Sequence, residues 1–254
     1  MTEKIVEVCC GGYHDAEQAA LGGAGRIELN SALMLGGLTP TETTLRMVKG
    51  AFPSLKTVAM VRPRGAGFCY SETEFQVMLQ ECESLLRCGA DGIAFGCLQA
   101  DGSLEEEKNR RLVETIREAG KEAVFHRAFD CSKNPFETME RLISMGVTRV
   151  LTSGLKPKAE EGREMLKRLQ ADYGKEIQIL AGSGVNADNA AELMEYTGLR
   201  QVHSSCKAWE KDPTTIQNGI SYSIADGDHK FDYDVVSREL VQKLVSRVGG
   251  GAQG

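Results

Sequence analysis

Short apolar, β-branched runs alternate along the chain with longer stretches whose apolar positions recur every three or four residues. The runs are IVEVC at 5–9, RIEL at 26–29, TVAMV at 57–61, GIAF at 92–95, AVFH at 123–126, RVLT at 149–152, IQIL at 177–180 and QVHS at 201–204. Each has strand length, while the intervening segments, such as ETEFQVMLQECESLLR at 72–87, carry the helical period. Strand–helix units in such a succession require parallel strands joined by crossover helices. A recurring glycine argues for a closed barrel over an open sheet. Gly23, Gly89, Gly146 and Gly198 each follow a helical stretch and stand four residues before a β-branched strand residue, where glycine adopts a left-handed cap without steric cost. They precede strands two, four, six and eight, so the chain reads as four (βα)₂ units closing into an α/β, TIM-type (β/α)₈ barrel.

The expected organisation is a single domain: one barrel over 1–248, a long polar loop at about 207–234 over its mouth, a last helix at about 235–248 and a frayed tail at 249–254. Composition agrees, since 254 residues with 41% hydrophobic and 26% charged content suffice for a large core. A net charge of −6 with no Lys/Arg cluster argues against a nucleic-acid partner. No apolar stretch has the length of a signal peptide or membrane span, so the expectation is a cytoplasmic protein with no membrane partner. The eight cysteines form no C-x-x-C pair and read as reduced thiols. The sequence leaves the oligomeric state open, a homo-oligomer included.

In an eight-fold barrel, chemistry sits at the C-terminal ends of the strands. The polar residues there are Glu7, Cys9, Glu28, Asn30, Arg62, Arg64, His126, Arg127, Thr152, Ser153, Gly182, Ser183, Gly184, His203 and Ser205. Strand parity places Glu7 with Cys9, Glu28 with Asn30, Arg62 with Arg64 and His203 with Ser205 on the inward face, and sends Val8, Leu29 and Val202 toward the helices. Inward charges are costly unless paired or bound to something. One reading is therefore an internal salt bridge of Glu7 or Glu28 with Arg62, and the other is a binding site. In the second, Glu7, Glu28 and His126 are candidate catalytic acids, bases or metal ligands. Arg62, Arg64, Arg127, Ser153, the Gly182–Ser183–Gly184 turn, His203 and Ser205 would then hold a small anion, with phosphate seated where the turn meets a helix. Arg62→Ala is expected to weaken anion binding while barely changing stability. Cys9 has the parity and position of a metal ligand, and it is expected to be buried or nearly so and free of disulfides. His14 and His229 read as surface histidines.

The ordered segments MVRPRG at 60–65, FHRAFD at 125–130 and RVLTSG at 149–154, with RIELNSAL at 26–33, GADGIAFG at 89–96, AGSGVN at 181–186 and VHSS at 202–205, resemble the CutC copper-homeostasis family over nearly the whole chain. The resemblance implies a (β/α)₈ barrel, a role in copper tolerance and Cu(I) as a ligand, held in some members by cysteines ending the first and second strands. The first of these matches Cys9; at the second this chain carries Asn30, a hard donor. The resemblance makes copper homeostasis the first expectation. The rival is a barrel enzyme acting on a small phosphorylated or carboxylate substrate.

Overall fold

A computed structural model describes residues 4–249. The eight strands are β1 (Ile5–Cys10), β2 (Arg26–Leu29), β3 (Lys56–Met60), β4 (Gly92–Phe95), β5 (Glu122–Phe125), β6 (Arg149–Thr152), β7 (Gln178–Ala181) and β8 (Gln201–Ser204). They pair in parallel in sequence order, and β8 returns to β1 through Glu7 opposite His203, closing the barrel. Seven helices follow the first seven strands: α1 (Tyr13–Leu21), α2 (Glu42–Ala51), α3 (Glu72–Arg87), α4 (Glu106–Glu118), α5 (Pro135–Met145), α6 (Arg163–Tyr173) and α7 (Ala190–Thr197), and α8 (Arg238–Gly249) completes the ring. The expected strands all form, with shifts of about one residue at β1, β3, β5 and β7. All four spaced glycines have positive φ, and Gly146 and Gly198 are the left-handed caps of α5 and α7.

The strand pleat sorts the core into two regions. Val8, Leu29 and Val202 face outward and are fully buried in the layer between barrel and helices, as parity predicts. Inside the barrel, Val58, Met60, Ala94 and Val124 form a small apolar cluster on one side, and the other side is charged. No helix among the described residues is long and apolar enough to cross a membrane.

The segment at 207–234 is not a loop. It contains β9 (Lys207–Lys211), the short hairpin β10 (Ile216–Gln217) and β11 (Ile220–Ser221), and β12 (Asp232–Val236), with β9 and β12 paired antiparallel from Lys207–Val236 to Lys211–Asp232. KAWEK and DYDVV are strand segments whose partners lie more than twenty residues apart, so neither run declares itself locally. Consequently α8 starts after β12, at Arg238. Of the expected tail, Gly249 closes α8 and 250–254 lie outside the described residues.

Candidate functional site

The lower barrel interior holds a continuous polar network. Arg26 Nε donates to Glu7 Oε2, and Arg26 Nη2 donates to Gln201 Oε1 at 2.7 Å. Gln201 donates to Gln178 Oε1 at 2.8 Å, which also accepts from Arg149 Nε at 3.2 Å, and Arg149 Nη2 reaches Glu122 at 2.6 Å. On its upper side Glu7 Oε1 meets His203 Nδ1 at 2.8 Å. Burial alone would raise the Glu7 carboxyl, but Arg26 and His203 hold it far below the usual carboxylate range. Glu7 is thus an ionised structural anchor under the mouth cavity, not a catalytic acid or base facing it. The salt-bridge reading was right in kind and wrong in partner, because Arg26 and not Arg62 neutralises Glu7. Arg26, Arg149 and Gln201 escape a survey of strand C-terminal ends; the signal for Arg26 is its parity with Glu28, two residues on.

Above this floor stand Cys9, Glu28 and His203, with one donor atom from each lying within 4.8 Å of the others. Adjacent strands bring them together, since Cys9 of β1 is in register with Glu28 of β2 and Glu7 of β1 with His203 of β8. His203 Nδ1 is taken by Glu7, which leaves Nε2 as its second ring nitrogen. Asn30 Nδ2 donates to Glu28 Oε1 at 3.1 Å and to Cys9 Sγ at 3.5 Å, while Glu28 Oε2 and Asn30 Oδ1 are buried without a hydrogen-bond partner. Gly37 packs so closely that a Cβ there would lie 2.4 Å from Asn30 Oδ1, at a φ of +83°. Cys9 is a free thiol, as expected, and lies half-buried at the cavity surface. Burial pushes its thiol and the Glu28 carboxyl up. For His203, burial opposes protonation and is outweighed by hydrogen bonds to Cys9 and Glu7, leaving the imidazole well above its ordinary range.

The remaining arginines are mostly spoken for. Arg62, buried, donates from Nη1 to the Leu35 and Gly37 carbonyls at 2.9 and 3.1 Å and from Nη2 to Ala66 O at 2.6 Å. Its two-pronged end therefore ties loops together instead of forking an anion, and Nε is left unpartnered. Arg64 leaves the site: its Nε donates to Glu74 at 2.5 Å, and it lies over the Tyr70 ring. Glu74 is the third helical residue of a capping box with Ser71 at the start of α3, and that carboxylate draws Arg64 away from the mouth. Arg127 lines the cavity, braced by Asp130 and Ser153 at 2.8 Å each. Ser153, fully buried, is spent on Asp130 and on the Lys156 carbonyl, so it positions Arg127 and does not meet a ligand. Asp130 also accepts from Thr152 and Leu155, and FHRAFD was the signal for it.

The Gly182–Ser183–Gly184 turn borders the cavity through Ser183 and Gly184, but it is not the expected phosphate seat. Ser183 Oγ donates to Pro157 O at 2.7 Å, Gly182 is packed against Leu151, and α7 begins only at Ala190, beyond a turn capped by Asn186 and Asn189. Glu28, Arg62, His126, Arg127, His203 and the exposed Ser205 border one cavity of about 710 Å³, and Glu7 lies beneath it. Lys207 and Asp234 of the β9–β12 arm and Leu240 and Leu244 of α8 form its upper edge. His14 is exposed as expected, whereas His229 is half-buried, stacked on Trp209 at 4.5 Å and bonded to Asp232.

Together the closed parallel barrel and its polar mouth define a (β/α)₈ protein with a cavity at the C-terminal strand ends. The CutC family model matches residues 4–208, and the chain belongs to the CutC family. A CutC family protein of Treponema denticola is 41% identical over 217 residues, 85% of this chain and 87% of that one, and one of Vibrio vulnificus is 38% identical over 224 residues, 88% and 89%. A crystal structure described as a copper homeostasis protein CutC, from Streptococcus agalactiae, superposes with a TM-score of 0.75 at 25% identity, covering 80% of this chain and 98% of that one. A KGPDC structure from Streptococcus mutans, 12% identical with a TM-score of 0.62 over 99% and 100% of the chains, shares the fold alone.

Proposed function

We propose that this protein serves copper homeostasis in a reducing compartment and takes up Cu(I) at the barrel mouth through Cys9 Sγ and His203 Nε2. The observation that carries this reading is the convergence of the Cys9, Glu28 and His203 donor atoms within 4.8 Å. A thiolate and an imidazole suit a soft monovalent ion, and Glu28 supplies charge beside them. Glu7 holds the far nitrogen of His203, the arrangement by which carboxylates orient metal-bound imidazoles. Asn30, standing where the family resemblance implies a second cysteine, donates an N–H toward the Cys9 sulfur, so the donor set offers one thiolate and not two. Eight free cysteines fit a reducing environment. The test is competition for Cu(I) against a chromophoric chelator. Cys9→Ser is expected to weaken binding by more than about a hundredfold, beyond the effect of outer-shell changes. Undiminished binding in that variant would defeat the proposal.

The cavity is far larger than an ion requires, and this favours a second reading, a barrel enzyme or binder for a small organic anion. On that reading Glu28, with Oε2 free of any hydrogen-bond partner and its carboxyl raised by burial, is the group suited to exchange a proton with the ligand.

A further inference from the structure

Two residues that line the mouth cavity beyond Cys9 and Glu28, Arg62 and His126, each carry a buried hydrogen-bond donor with no acceptor of ordinary geometry. Nδ1 of His126 accepts the Ala128 backbone N–H at 3.2 Å, and a neutral imidazole that accepts at Nδ1 carries its proton on Nε2. That Nε2–H has no partner, and the Nε–H of Arg62 makes no hydrogen bond of ordinary geometry, though the buried Tyr70 hydroxyl lies beside its guanidinium. The two groups share one surface, for the Phe68 ring lies 5.0 Å from the His126 ring and 5.2 Å from the Arg62 guanidinium carbon. The imidazole is also held in place from behind, since a Cβ at Gly96 would come within 2.7 Å of it. Unsatisfied buried donors are costly, and two on residues that line one cavity call for an acceptor.

We propose that the mouth cavity binds a small organic carboxylate, its oxygens accepting from His126 Nε2–H and Arg62 Nε–H and its apolar body lying against Leu33, Met60 and Leu151, all of which border the same cavity. His126 is then a neutral donor to the ligand, not the acid or base its sequence position suggests; burial and the neighbouring Arg62 push its imidazole down to about 3. Two donors match the two oxygens of a planar carboxylate. The Ser183 hydroxyl of the turn at 182–184, the seat expected for a phosphate, is already engaged by the Pro157 carbonyl. This assignment deepens the small-anion reading by naming the ligand class, and it is independent of copper.

Full-length protein treated with a metal chelator would be titrated with hexanoate, hexanol and hexyl phosphate, following binding by calorimetry and the His126 ring by ¹⁵N NMR. The expected results are a neutral ring protonated on Nε2, an Nε2 resonance that moves with hexanoate, and hexanoate binding at least about tenfold tighter than the other two probes. His126→Asn keeps an oxygen for the Ala128 N–H but removes the outward donor, and should weaken hexanoate by about tenfold. A ring protonated on Nδ1, an unmoved resonance, or hexanol binding as well as hexanoate overturns the assignment whether or not the variant folds. Tighter hexyl phosphate overturns the carboxylate while sparing the small-anion reading; binding of neither anion removes both.

Discussion

At the scale of single residues, the mouth separates groups that look alike in the sequence. Arg62 and Arg64 have the same parity and flank one proline, yet one ties three carbonyls inside the protein and the other pairs with a helix-capping glutamate. Their roles were illegible because a guanidinium takes whatever acceptors the neighbouring loops present, and no strand pattern encodes those loops. Arg62→Ala should therefore cost roughly 2–4 kcal/mol, since it strands buried carbonyls, a reversal of the near-neutral effect expected from its sequence position. Urea denaturation gives the value. Glu7→Ala leaves Arg26 and His203 without their carboxylate and should cost about 3–5 kcal/mol on the same assay. His126 adds a pH signature. Its folded value of about 3 lies below the ordinary 6.5, so between those limits the unfolded chain binds more protons and stability falls as pH falls. Glu28 and His203, both raised, work in the opposite direction, so the comparison with His126→Asn isolates the effect. Lowering pH from 6.5 to 4.5 should cost the wild type about 2–3 kcal/mol more than the variant, at about 1.4 kcal/mol per pH unit. Parallel slopes would refute it.

At the scale of elements, the barrel strands were legible because each is a short apolar run read by its nearest neighbours, and the glycines before alternate strands fix where they begin. The arm was not. Trp209 finds its partner Asp234 and Lys211 finds Asp232 only across the intervening hairpin, and a polar, aspartate- and glycine-rich composition disguises both strands. The site was partly legible for the same geometric reason. Parity put Glu28, Cys9 and His203 on one face, but no parity rule reports that the Gly182–Ser183–Gly184 turn stops short of its helix. The SETE segment at 71–74 did contain its capping box, and there Ser71→Ala should cost about 1 kcal/mol in thermal or urea unfolding. An unchanged stability would mean that Arg64 alone holds Glu74 in place.

At the scale of the whole molecule, closure of β8 onto β1 brings residues 5–8 into contact with residues 201–204, so the mouth exists only when the barrel is complete. The column from Glu122 through Arg149, Gln178, Gln201, Arg26 and Glu7 to His203 joins the bottom rim to the mouth cavity, an acid–base pair at each end linked by two glutamine amides. Such a column constrains how the protein can change over generations. A lineage that loses the acid at position 7 also loses the reason for a base at 26 and for a histidine held by its Nδ1 at 203, so these three should be exchanged together or not at all. Ser205, exposed on the rim, is free to drift on its own. Ancestral or grafted barrels that carry one partner without the others should emerge from expression screens as insoluble, and those that carry the whole set as folded.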